Sequence, residues 1–126
     1  MDPNLQILVV DDYITMVRIV RKLLKQIGYE NVDEASNGAM ALAMIKEKNY
    51  GLIISDWNME PMTGFELLKH VRASEAGAKT PFILVTAESR PDNVVAAQKE
   101  GVNEYLVKPF SAPVLKEKID KALAAA

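Results

Sequence analysis

The chain has 126 residues, of which 49% are hydrophobic and 25% charged, and its formal net charge is −2. These values predict one globular domain that buries a core without cross-links, and they exclude a disordered chain. The absence of cysteine excludes disulfides and thiolate metal sites, and the lack of a run of like charges argues against nucleic-acid binding through phosphates. Because the N-terminus is polar and no apolar run approaches the ~20 residues that span a bilayer, we expect a cytoplasmic protein.

The hydrophobic pattern predicts five strands that alternate with five helices. In chain order it predicts a strand at 5–10, a helix at 14–27, a strand at 32–35, a helix at 38–49, a strand at 52–55, a helix from 65 that fades at 74–77, a strand at 81–85, a helix at 91–101, a strand at 104–107 and a helix after 111. Such alternation with short connections is typical of a parallel sheet with helices on both faces. The sequence therefore predicts a single α/β domain.

Local signals support the ends of these helices. Asn37 and Ser111 are predicted N-caps, because their side chains can accept a hydrogen bond from a free backbone N–H. Pro91 suits the first turn of a helix, and Gly28 and Gly101 suit helix ends.

Polar side chains follow four of the predicted strands, at the point where each strand ends. They are Asp11 and Asp12, Asp56, Thr86, and Lys108. Each alone has an ordinary explanation, such as a helix cap, a β-branched strand residue or a solvated loop charge. Because the carboxyl ends of parallel strands meet at one edge, which is where α/β sheets bind ligands, the coincidence predicts a functional site.

The predicted site combines three carboxylates with a lysine and a hydroxyl. Carboxylates about 4 Å apart repel by roughly 4 kcal/mol per pair at an effective dielectric constant near 20. A hard cation such as Mg²⁺ would offset that repulsion, and it prefers oxygen ligands. Asp56, which ends the central strand, is then placed to accept a phosphoryl group, with Lys108 and Thr86 as donors to its oxygens.

These residues, in this order and at these intervals, resemble the receiver domain of two-component response regulators. The segments that carry the resemblance are Asp11-Asp12, Asp56-Trp57-Asn58-Met59, Thr86-Ala87-Glu88, Tyr105 and Lys108-Pro109-Phe110. The resemblance covers residues 1–126 as one receiver domain. It implies the flavodoxin-like (CheY-like) (βα)5 fold, with a five-stranded parallel sheet in the order 2-1-3-4-5.

The resemblance also implies a role for each site residue. Asp56 would be the phosphoacceptor, and Lys108 would pair with the phosphoryl group and precede a cis peptide bond to Pro109. Magnesium would be bound directly by Asp12, Asp56 and the Asn58 carbonyl, and by Asp11 through water.

Other positions would govern signalling. Thr86 and Tyr105 would move inward on phosphorylation and change the face made by the fourth helix, fifth strand and fifth helix. Asn58 and Glu88 would tune self-dephosphorylation. The chain departs from the usual family pattern at Glu60, which precedes Pro61 and adds a carboxylate near the metal loop.

The resemblance implies a single-domain response regulator of chemotaxis. A sensor histidine kinase of the CheA type would phosphorylate it, because the isolation of the chain's single histidine, His70, implies that a histidyl phosphodonor must come from another protein. Its output partner would be a protein such as the flagellar motor switch, with a phosphatase as a further candidate partner. The chain would act as a monomer and would be no enzyme beyond its own phosphotransfer and dephosphorylation.

Three alternatives stay open from the sequence. A phosphorelay shuttle or phosphate sink would need the same residues. A haloacid-dehalogenase-type phosphatase also forms an aspartyl-phosphate, although its nucleophile lies in an Asp-x-Asp signature on the first strand, where this chain has Asp11-Asp12-Tyr13. A receiver that binds partners without phosphorylation is disfavoured by the intact set of site residues.

Overall fold

The structure is a computed structural model that describes residues 2–88 and 90–125. Its strands are β1 (Ile7–Val10), β2 (Val32–Ala35), β3 (Leu52–Asp56), β4 (Phe82–Thr86) and β5 (Glu104–Val107). Its helices are α1 (Ile14–Ile27), α2 (Gly38–Glu47), α3 (Gly64–Ala73), α4 (Pro91–Lys99) and α5 (Ala112–Ala124). The predicted alternation of strands and helices is confirmed.

The five strands form one parallel sheet in the order β2-β1-β3-β4-β5, as the family resemblance implied. At the carboxyl end Val10 pairs with Ser55, and Asp56 pairs with Val85. The polar residues that end β3 and β4 or follow β1 and β5 therefore emerge at the same edge of the sheet. Among the helices of residues 2–88 and 90–125, none is both long enough and apolar enough to cross a bilayer.

Helices cover both faces of the sheet and create two hydrophobic clusters. On one face α1 and α5 pack with residues such as Val20 and Leu115 against Ile54 of β3. On the other face α2, α3 and α4 pack with residues such as Leu68 against Ile53. Every residue of β3 and β4 is buried, which explains why these strands read as unbroken apolar runs rather than alternating ones.

Most predicted helix ends are confirmed. Gly28 follows α1 with a left-handed φ of 118°, and Asn37 accepts a hydrogen bond of 2.8 Å from the Met40 N–H. Pro91 is the first residue of α4, and Gly101 follows that helix with φ 87°. Ser111 occupies the N-cap position of α5, but its side chain makes no capping hydrogen bond. The capping part of that prediction is wrong, because position alone does not orient the hydroxyl.

The strand boundaries shift by one or two residues. β1 begins at Ile7 rather than at residue 5, while β3 and β4 each extend by one residue at the carboxyl end. Asp56 and Thr86 are therefore the last ladder residues of their strands, and their backbones are held by the sheet. The peptide bond from Lys108 to Pro109 is cis as implied, and the bond from Glu60 to Pro61 is also cis.

Candidate functional site

The structure brings the three predicted carboxylates together at the carboxyl edge of the sheet. One oxygen from each of Asp11, Asp12 and Asp56 lies within 4.8 Å of the other two. Asp11 and Asp56 are each 6% exposed, whereas Asp12 faces solvent. The cluster thus consists of two buried carboxylates and one solvent-exposed carboxylate.

Asp11 is positioned by hydrogen bonds at the end of β1. Its N–H donates to the Ala35 carbonyl at 3.1 Å, which extends the pairing of β1 and β2 by one step. Its Oδ1 accepts a hydrogen bond of 3.0 Å from the N–H of Tyr13, the residue that precedes α1. Asp11 therefore does both things: its carboxylate accepts a hydrogen bond at the start of α1, as a helix-capping residue would, and it belongs to the carboxylate cluster.

Burial and like charge alter the protonation of Asp11. Desolvation by burial raises the pKa of its carboxyl to about 6, against the lowering effect of the Tyr13 hydrogen bond. The charge of Asp56 raises the pKa further, and the charge of Lys108 lowers it. The cluster without a cation is therefore an electrostatically unfavourable arrangement of acids.

Lys108 supplies the only short cationic contact to Asp56 within the described part of the chain. Its Nζ lies 2.8 Å from Asp56 Oδ1, and its side chain is 25% exposed. The Lys108 N–H donates to the Thr86 carbonyl at 2.8 Å, so the backbone after β5 is held against β4. Asp56 Oδ1 accepts no well-aligned hydrogen bond. The contact is therefore an ion pair at a buried carboxylate oxygen.

Thr86 and Tyr105 both contact the backbone of Glu88. The Glu88 N–H donates to the Thr86 hydroxyl at 3.4 Å, and the Tyr105 hydroxyl donates to the Glu88 carbonyl at 3.5 Å. Thr86 is 5% exposed and ends β4, while Tyr105 on β5 is half-buried. The two predicted switch residues are thus connected through the loop between β4 and α4.

The remaining predicted residues surround the entrance to the site. Asn58 and Glu88 are exposed and line one shallow cavity of ≈ 220 Å³ together with Thr86 and Trp57. Glu60 is exposed as well, and it lies outside the carboxylate cluster found among the described residues. The carboxylate of Glu60 therefore adds a negative charge to the loop after β3 without joining the three clustered acids.

The loop after β3 contains two features that sequence reasoning missed. The Thr63 hydroxyl accepts from the Glu66 N–H at 3.1 Å, and the Glu66 carboxylate accepts from the Thr63 N–H at 3.1 Å. This capping box has a sequence signature, Thr-x-x-Glu, that could have revealed it. The second feature is the close approach of Gly64 to Asp56, which no local pattern signals.

The donor set fits a hard divalent cation. All three clustered groups are carboxylates, the ligand type that Mg²⁺ prefers, and their mutual repulsion favours a positive ion between them. Histidine and cysteine, which would favour zinc or softer metals, are absent from the cluster.

Comparison with known proteins agrees with this fold. Residues 7–120 match the family model described as the response regulator receiver domain, and the chain belongs to this family. This assignment confirms the predicted family and favours a receiver over a haloacid-dehalogenase-type phosphatase.

Its relatives include chemotaxis response regulators of the CheY type. The chain is 45% identical over 121 residues to chemotaxis protein CheY-3 of Vibrio cholerae, covering 96% of this chain and 93% of that protein. It is 48% identical over 117 residues to chemotaxis protein CheY of Pseudomonas aeruginosa, covering 93% and 94% respectively. The chain is therefore homologous to CheY proteins.

Solved structures of CheY proteins and receiver domains have the same fold as this chain. CheY4 of Vibrio cholerae superimposes with a TM-score of 0.89 at 36% identity, covering 95% of this chain and 99% of that one. The receiver domain of a sensor histidine kinase from Pseudomonas aeruginosa superimposes with a TM-score of 0.86 at 25% identity, covering 96% and 98%. That structure was solved with a magnesium ion coordinated in its active-site cleft.

Proposed function

We propose that this chain is a chemotaxis switch in which a phosphoryl group is transferred from a partner histidine kinase to Asp56. The single observation that carries the proposal is the environment of Asp56: a buried carboxylate, paired with Lys108 at 2.8 Å and clustered with Asp11 and Asp12. The family assignment and the names of the relatives support it. The family model matches residues 7–120, and we propose that the receiver domain comprises residues 1–126.

Asp11, Asp12 and Asp56 would hold Mg²⁺, with the Asn58 carbonyl as a further ligand. When bound, the ion would neutralise these acids and the oxygens of the incoming phosphoryl group. The magnesium reported for the related kinase receiver domain supports the choice of ion.

In the transfer step an oxygen of the Asp56 carboxylate attacks phosphorus. The phosphorus–nitrogen bond of a phosphohistidine breaks, and the imidazole leaves with the bonding electron pair and takes up a proton. Lys108 would move its ion pair from the Asp56 carboxylate to a phosphoryl oxygen. The barrier is lowered mainly by positioning and by neutralising charge, which is how proteins assist phosphoryl transfer.

The response to phosphorylation would pass through Thr86 and Tyr105. The Thr86 hydroxyl would donate to a phosphoryl oxygen, and the shared contacts with Glu88 would couple this movement to Tyr105. The affected surface, made by α4, β5 and α5, already exposes apolar side chains: Val95, Val107 and Val114. An output protein in the cytoplasm, such as the flagellar motor switch, would bind there.

The proposal is tested by intact-mass spectrometry after incubation with acetyl phosphate and Mg²⁺. We expect one added phosphoryl group on the wild-type chain, none without Mg²⁺ and none on Asp56→Asn. The matched control is Asp120→Asn, which changes an exposed acid on α5 whose ion pair among residues 2–88 and 90–125 is with Lys116 on the same helix, and it should be labelled like the wild type. Equal labelling of Asp56→Asn would show that the assignment of the phosphoacceptor is wrong.

A further inference from the structure

An aromatic row lies beside the proposed phosphorylation site. The Trp57 ring stacks on the Phe65 ring, with centroids 5.2 Å apart and planes inclined by 16°. The same indole meets Tyr105 edge to face, with centroids 6.2 Å apart and planes inclined by 73°. All three side chains are half-buried. The row thus connects the first turn of α3, the residue after Asp56 and β5.

The backbone of Trp57 is held by hydrogen bonds to two neighbouring segments. Its N–H donates to the Val85 carbonyl at 2.8 Å, and its own carbonyl accepts from the Gly64 N–H at 2.9 Å. These bonds fix where the side chain begins but not how the indole is turned. Phe65, stacked on one face of the indole, supplies a contact that depends on that orientation.

Tyr105 occupies an inward position in this structure. Its ring rests against Trp57, and its hydroxyl lies 3.5 Å from the Glu88 carbonyl. A Tyr105 ring turned out to solvent would lose both contacts. When Phe65 holds the Trp57 indole in this orientation, the indole edge is in place to contact the Tyr105 ring, and this contact favours the inward position of Tyr105.

We infer that Phe65 is a positioning residue for the Tyr105 switch, acting through Trp57 to stabilise inward Tyr105 before any phosphoryl group is bound. The inference rests on the proposed function, in which inward Tyr105 belongs to the active state. Oriented aromatic contacts of this kind change an equilibrium constant by about two- to tenfold. By linkage, loss of the contact weakens the binding of a phosphoryl mimic that requires inward Tyr105 by up to this factor, in proportion to the inward population that is lost.

The test separates stacking from simple apolar packing. Phe65→Leu keeps an apolar side chain but removes the ring, whereas Phe65→Tyr keeps the ring. Each variant and the wild type would be labelled with fluorotyrosine and studied by fluorine NMR. Because Phe65→Tyr adds a labelled tyrosine of its own, Tyr105 would be assigned by adding Tyr105→Phe to the wild type and to each variant. Tyr29 and Tyr50 are buried elsewhere in the fold, so their signals report whether each variant is folded.

We expect Phe65→Leu to move the Tyr105 signal toward the solvent-exposed position, with about a two- to tenfold rise in the ratio of outward to inward Tyr105. Phe65→Tyr should restore the wild-type signal, and the Tyr29 and Tyr50 signals should stay unchanged. An unchanged Tyr105 signal in Phe65→Leu, or equal shifts in both variants, would overturn the inference. If Phe65→Leu does not fold, Phe65→Met makes the same comparison.

The measurement is made without a phosphodonor, so its outcome is independent of the mass-spectrometric test. A wild-type chain that takes no phosphoryl group would refute the proposed function but not the coupling of Phe65 to Tyr105. Conversely, normal labelling of Asp56 with an unresponsive Tyr105 would refute only the role of Phe65.

Discussion

Gly64 lies directly against the backbone carbonyl of Asp56. A Cβ atom at Gly64 would stand 2.0 Å from the Asp56 carbonyl oxygen and 2.9 Å from its carbonyl carbon. The first residue of α3 is therefore packed onto the end of the strand that presents the proposed phosphoacceptor. Because the opposing atoms belong to the backbone, a larger residue at position 64 must displace either α3 or β3.

Gly64→Ala should therefore reduce the free energy of unfolding by about 1–3 kcal/mol, the usual cost of overpacking. Gly38→Ala is the matched control, since its Cβ would meet the flexible side chain of Met62, with the sulfur at 2.5 Å. Helix propensity favours alanine by up to about 1 kcal/mol at such positions, which offsets part of that clash. Urea unfolding of both variants checks the prediction, and equal losses would contradict it.

Removing one charge from the carboxylate cluster should stabilise the protein when no metal is present. Asp12→Asn relieves repulsion from Asp11 and Asp56, and because Asp12 is exposed we expect a gain of only about 1 kcal/mol, or roughly 3 °C in Tm. Added Mg²⁺ should raise the Tm of the wild type but not of this variant. Calorimetry with and without Mg²⁺ measures both effects. A lower Tm for metal-free Asp12→Asn would show that the Asp12 carboxylate stabilises the fold more than its repulsion from the other two acids destabilises it.

The raised pKa of Asp11, about 6 against an ordinary 3.8, predicts a pH dependence of stability. Between pH 3.8 and about 6 the folded state binds more protons than the unfolded state, because Asp11 is protonated mainly in the folded state. The free energy of unfolding therefore decreases as the pH rises through this range. In metal-free buffer the free energy of unfolding of the wild type should fall, relative to Asp11→Asn, by about 1–3 kcal/mol across this range. Urea unfolding at several pH values tests this difference.

The same protonation opposes metal binding, since a protonated carboxyl is a poor ligand. We expect the Mg²⁺ affinity of the wild type to weaken as the pH falls through about 6, by up to roughly tenfold per pH unit for one competing proton. Trp57, the chain's single tryptophan, adjoins Asp56 and should report the titration by fluorescence. An affinity that stays constant between about pH 5 and about pH 7 would contradict the prediction.

Arg72 connects three segments at the opposite edge of the sheet. Its guanidinium donates to the carbonyls of Gly77 at 2.9 Å, Thr80 at 2.6 Å and Gly101 at 2.9 Å, and to Asn103 Oδ1 at 2.9 Å. Arg72→Ala would remove the Arg72 donor from the part-buried carbonyls of Gly77 and Thr80, and we expect a loss of about 2–4 kcal/mol in unfolding free energy. Arg72→Lys should recover only part of it, because an ammonium group cannot span these acceptors.

Labelling of Asp56 by acetyl phosphate in the folded Arg72 variants should match that of the wild type, since Arg72 lies at the far end of the strands. Urea unfolding tests the predicted loss of stability in the Arg72 variants, and intact-mass spectrometry tests the predicted normal labelling of Asp56. A selective loss of labelling without a loss of stability would assign Arg72 a role in the site.

Local sequence patterns were sufficient to predict the alternation of strands and helices and to group the candidate site residues at one edge of the sheet, whereas the strand order was implied only by the family resemblance. Apolar runs of strand length alternate with amphipathic runs of helix length, and parallel strands joined by helices place their carboxyl ends on one edge. Any polar residue directly after such a strand must lie at that edge. For this reason Asp11, Asp12, Asp56, Thr86 and Lys108 could be grouped without knowing a single distance.

The tertiary structure decided what depends on residues that are distant in sequence. Whether Asp11 is buried while Asp12 is exposed follows from packing around the end of β1, and this burial raises the pKa of Asp11. The contacts of Arg72 across about 30 residues, and the stack of Phe65 on Trp57, likewise depend on side-chain orientations. Periodicity specifies which face of an element is buried, but the neighbours that a side chain meets on that face are determined only when the elements pack together.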